Sequence, residues 1–153
     1  MFGSSEYSST FFVKKIQSEA MLMAIESLKQ SSMRVVGVDA TTGVILAKVS
    51  SSLRSMGEDV KIQMEEKDDG TLLTIHSKCN YPGQKFDWGK NEKNVKRITD
   101  ALSLLQNKDY PDADSSLMAI TNQINSTSNG SGCMALLIGL FVTSFTIVLV
   151  SVL

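Results

Sequence analysis

The residues with the greatest capacity for chemistry cluster in one string, Phe86-Asp-Trp-Gly-Lys-Asn91, followed by Lys93, Asn94 and Arg97. Trp88 is the only tryptophan. Asp87 can accept amide hydrogen bonds from the start of a helix, and Gly89 permits a turn closed to other residues. Asn91 and Asn94 lie one turn apart and can tie such a helix to the loop before it. Helix N-terminal amides attract negative charge, and Lys90, Lys93, Lys96 and Arg97 would strengthen that pull. Trp88, Lys90, Asn91, Lys93 and Arg97 are therefore the candidate binding residues, for a small anion or a lipid head group. A plainer reading stands beside it. The string makes a structural corner, and the Asp87 carboxylate already fills the place an anion would take. Positions 90, 93 and 97 share one helix side, and such charged faces are usually just solvated. Near anionic lipid, each basic residue there is worth about 1 kcal/mol.

Other reactive side chains are scattered. His76 is the only histidine, and by strand alternation it falls on the Thr74/Lys78 face, away from Leu73 and Ile75. No Cys or carboxylate cluster surrounds it in sequence, so it reads as a sheet-surface residue rather than a base or metal ligand. Glu58 and Asp59 are adjacent, and in an extended chain they point to opposite sides. Glu65, Glu66, Asp68 and Asp69 lack the alternating oxygens and distal Glu of a calcium loop. Cys79 and Cys133 are two thiols, too few for a disulfide framework. No nucleophile elbow, phosphate loop or paired-cysteine motif occurs. The expectation is a non-enzymatic protein with no cofactor, no metal and no nucleic-acid partner.

The elements that must position these residues follow from periodicity. Residues 1–9 are rich in Ser and read as disordered. Thr10–Ile16 reads as a strand, and Ser18 as the N-cap of an amphipathic helix over 18–30. Met33–Asp39 and Val44–Val49 flank an Ala40–Gly43 hairpin turn. Val60–Glu66 and Thr71–Cys79 flank a second turn at Asp68-Asp69-Gly70. A helix over about 90–106 buries Val95, Ile98, Leu102 and Leu105. This order predicts an α+β domain over 10–106, an antiparallel four- to five-stranded sheet with two helices on one face. Residues 107–132, rich in Asp, Ser and Asn, read as a flexible tether with a helical turn or two at Leu117–Ile120.

The closing segment Cys133–Leu153 contains no charged side chain. As a helix it would span roughly 30 Å, the hydrocarbon thickness of a bilayer. All 15 Lys and Arg lie between Lys14 and Lys108, so the folded part is mildly basic. No basic start precedes a long apolar run at the N-terminus, so no signal peptide is expected. The layout predicts a single-pass, tail-anchored membrane protein with its domain in the cytosol. Ala135, Gly139 and Thr143 form a small-residue series that would suit a homodimer within the span. Asn125-Ser-Thr and Asn129-Gly-Ser match the glycosylation pattern and read as chance matches.

Three further strings are Gly43-Val-Ile-Leu-Ala47, Gly57-Glu58 and Asp87-Trp-Gly-Lys-Asn-Glu-Lys-Asn-Val95. Together they resemble a group of small uncharacterised bacterial proteins sharing a D-W-G-K-N-x-x-N-V helix start. The resemblance implies a common α+β domain and carries no activity. The leading expectation is a tail-anchored protein whose domain binds a partner protein or membrane lipid head groups. The alternative is a carrier domain enclosing a small apolar ligand or lipid.

Overall fold

The computed structural model describes residues 6–50, 57–80 and 89–128. Alternation with a period of two builds five strands: β1 (Glu6–Val13), β2 (Arg34–Asp39), β3 (Val44–Val49), β4 (Glu58–Lys67) and β5 (Gly70–Cys79). They form one antiparallel sheet in the order β1-β5-β4-β3-β2, a four-strand meander with β1 added beside β5. The register places Val60, Ile62 and Met64 level with Ser77, Ile75 and Leu73, and all six are buried. Lys61 and His76 oppose each other on the other face. The β2–β3 turn is held by Asp39, whose carboxylate accepts from Thr42 Oγ1 at 2.7 Å and from the Thr41 amide at 3.0 Å. The Thr42 hydroxyl, first among these donors, holds that carboxyl below the usual range. Gly43 closes the turn at φ +66°, where an added Cβ would also crowd the Met64 carbonyl at 3.2 Å.

Three helices complete the domain: α1 (Gln17–Gln30), α2 (Lys90–Leu105) and α3 (Ala113–Ser128). Residues Ala20–Ile25 of α1 are buried without a break. A helix that is apolar all round must be surrounded, and α1 touches the sheet, α2 and α3. Met21 and Met23 are fully buried filler here. Each such side chain stabilises the fold by about 1.5–3 kcal/mol. α2 buries Val95, Ile98, Leu102 and Leu105, the stripe its sequence period implies. The α+β expectation therefore stands, with a five-stranded sheet and a third helix.

Three expectations are corrected. The first strand begins at Glu6 and ends at Val13, so residues 6–9 are not disordered. Pairing Tyr7 with Ser77 and Ser8 with His76 holds this polar stretch extended. The first helix starts at Gln17, and Ile16, not Ser18, is its N-cap. Residues 113–128 are not a flexible tether but a packed helix. Ala113, Leu117, Ile120 and Ile124 recur at spacings of four, three and four, a narrow stripe set in a polar segment. Ala113 and Leu117 are buried in the core, with Ile120 and Ile124 packed against it. Asn91 and Asn94 bond to strand β5, and the loop expected to receive them lies outside the described residues. Among the described residues no helix is long and apolar enough to cross a membrane. The segment 133–153, with Cys133, Ala135, Gly139 and Thr143, lies outside the described residues, as does Asn129.

Candidate binding cleft

The candidate residues at the start of α2 separate into distinct environments. Trp88 and Asp87 lie outside the described residues. Gly89 is the α2 N-cap and is left-handed, at φ +73°. Asn91 is fully buried, and its Oδ1 accepts from the Ser77 hydroxyl at 2.8 Å. Its Nδ2 donates to Cys79 Sγ at 3.5 Å, and Asn94 Nδ2 donates to Ser77 Oγ at 3.3 Å. Buried amides need partners of this kind, and these stitch α2 to β5. Lys90 Nζ lies 4.0 Å from a carboxylate oxygen of the buried Glu58. Arg97 donates to the Ser31 carbonyl at 2.7 Å and so covers the C-terminal end of α1. Lys96 pairs with Asp100 at 3.1 Å. Lys93 is exposed. The basic row of α2 is thus largely spent within the fold.

The more receptive feature lies where α1 begins. A cleft of about 440 Å³ opens between the start of α1, the β2–β3 turn and α3. Met21 and Leu117 form its apolar base, and the exposed side chains of Ile16 and Met118 form its lips. Glu66 and Asp114 are the charged residues lining it. Thr121 supplies its one unusual group. The Thr121 Oγ1 is buried without a hydrogen-bond partner, one of two such side-chain atoms among the described residues. An unmet buried hydroxyl costs about 1–3 kcal/mol. Periodicity could not find this site, because α3 reads as polar and its apolar stripe is only one residue wide. Among the described residues, no group of three His, Cys, Asp or Glu side chains is placed to hold a metal.

No family model matches the chain, and no curated protein matches it. Solved structures share its shape. The crystal structure of Ara h 8.0201 superposes with a TM-score of 0.50 at 8% identity, covering 76% of this chain and 99% of the other. The di-domain ARO/CYC BexL gives 0.45 at 10% identity; the match covers 67% of this chain and spans 47% of BexL. TTHA0849 from Thermus thermophilus gives 0.42 at 10% identity, covering 76% of this chain and 99% of its own. The first of these likenesses establishes a common fold and nothing about ligand or activity.

Proposed function

We propose that the domain is a non-catalytic binding module that holds a small, largely apolar and uncharged molecule in the α1–α3 cleft. The observation that carries this reading is the buried, unpartnered Thr121 hydroxyl in an otherwise mostly apolar wall. A ligand hydroxyl or carbonyl would complete it, while the ligand's apolar part would cover Ile16 and Met118. The two carboxylates, Glu66 and Asp114, disfavour an anionic ligand, and no Lys or Arg lines the cleft to offset them. The cleft volume suits a compact molecule rather than a long-chain lipid pair.

The test compares the full-length protein with an Asn122→Trp variant, each purified from its own cell in the same way. Asn122 is exposed and lines the cleft, so the indole plugs it without entering the core. Mass spectrometry of the extracted small molecules is expected to show a species in near-stoichiometric amount with the natural protein and lost from the variant. Identical profiles would overturn the reading. The sequence adds a location to this reading. The uncharged stretch 133–153 favours attachment to a membrane through that segment.

A further inference from the structure

A second concavity lies on the opposite side of the sheet, in the face that α1 and α2 leave uncovered. Strand alternation sends Leu46, Lys48, Lys61, His76 and Lys78 to this outer face. They frame a groove of about 290 Å³. A β-bulge in β2, between Val35 and Gly37, shapes its near end. Bulges re-aim side chains, and this one brings Val36 into the groove wall. Gly37 pairs with Leu46, so no side chain covers Leu46 there, and that leucine remains 45% exposed. A Cβ at position 37 would fit at ordinary contact distance, 3.7 Å from Leu46 Cδ1. The gap is therefore open space and not a steric necessity.

The charges around this apolar base do not balance. Arg34 stands directly opposite Lys48 in the ladder and Lys61 opposite His76, while Lys78 stands between Glu6 and Asp59. In the Arg34–Lys48 pair like charges oppose each other, which destabilises a sheet. Lys48 has a distant partner in Asp59, at 4.0 Å. Glu6 Oε2 lies 3.6 Å from His76 Nε2, and His76 Nδ1 is 2.7 Å from the Ser8 hydroxyl. Lys61 and Lys78 form no ion pair or side-chain hydrogen bond among the described residues. Three lysines and one carboxylate, Asp59, thus line the groove around an exposed leucine and a half-buried valine. Repulsion of this kind is relieved by a bound anion, and the exposed leucine is relieved by an apolar group.

We infer that this outer groove is a second binding site, for a small amphipathic anion. Its carboxylate or phosphate would sit between Lys61 and Lys78, with its apolar part on Leu46 and Val36. Chemically it is the converse of the α1–α3 cleft, which is rimmed by carboxylates. It lies on the far side of the sheet, so the two sites stand or fall separately.

His76 lines this groove and is the only histidine, so its imidazole is a single-signal reporter. The full-length untagged protein, labelled with 13C-histidine, would be titrated at fixed pH with 4-phenylbutyrate and, separately, with 4-phenyl-1-butanol. The expected result is a saturable movement of the His76 resonance with the carboxylate and a much weaker one with the alcohol. Acetate, which has the charge without the apolar part, should fail to compete. A Lys61→Gln, Lys78→Gln double variant should weaken phenylbutyrate binding roughly tenfold, through the loss of two exposed charge contacts. Both lysines are exposed, so the variant keeps the core intact. The inference is overturned if the resonance stays still at millimolar phenylbutyrate. It is equally overturned if the alcohol or the double variant responds as the carboxylate and natural protein do.

Discussion

At the scale of single residues, Glu26 shows how α1 receives the end of α2. Lys108 Nζ donates to both Glu26 oxygens, at 2.8 and 2.7 Å, and Tyr110 Oη donates to one at 3.1 Å. The Lys108 hydrogen bond, chiefly, lowers the Glu26 pKa from its ordinary 4.5. Burial, and then the Glu26 charge beside it, pushes the Tyr110 phenol well above its ordinary range. A depressed carboxyl contributes stability above its unfolded pKa, and that contribution is lost as pH falls through the folded value. A raised phenol contributes below its unfolded pKa and loses it at strongly alkaline pH. Glu26→Gln is therefore expected to cost roughly 0.5–1 kcal/mol near neutral pH, the pair being partly exposed. The difference from the natural protein should shrink from neutral to strongly acid pH, as the pH falls through the lowered folded value of Glu26 and both come to carry a neutral side chain. Urea midpoints at the two pH values check this. None of it was legible beforehand, since the partners are more than 80 positions apart. By contrast, the outward placement of His76 followed from alternation alone, because Leu73 and Ile75 fix which face is dry.

At the scale of elements, α3 is held by few apolar groups and one well-placed amide. Asn125 Nδ2 donates to the Val38 carbonyl at 3.0 Å, and its Oδ1 accepts from the Val38 amide at 3.4 Å. The side chain therefore occupies the place of a neighbouring strand along β2. Asn125→Ala should cost about 1–2 kcal/mol and raise the exchange rate of the Val38 amide about tenfold or more. Hydrogen exchange followed by mass spectrometry or NMR checks this. An unchanged Val38 rate would mean that the amide adds nothing to the docking. The strands and α2 were legible because their patterns are strong: clean alternation in 60–64, and a four-residue stripe in 95–105. α3 was not. Its stripe is interrupted by Ser, Thr and Asn, and what fixes it is a tertiary hydrogen bond to a strand 87 residues away. The cleft was illegible for the same reason, since one of its walls is α3.

At the scale of the whole molecule, the packing of α3 removes most of the length assigned to a tether. Four residues separate Ser128 from the uncharged run at Cys133. If that run enters a bilayer, the domain is carried close to the surface rather than floating roughly 25–30 Å away, as a 26-residue coil would allow. Alkaline carbonate washing of membranes is expected to leave the full-length protein in the pellet, and its release into the supernatant would exclude the attachment. The two borders of the sheet also differ among the described residues. Asn125 occupies the β2 edge at Val38, whereas β1 pairs with β5 alone. Strand-to-strand self-association therefore has a single point of entry per copy. Two copies meeting through β1 would consume both entry points and leave none for a third. Such growth ends at a pair, and the layered polymers that open-ended sheets invite are denied a second growing front.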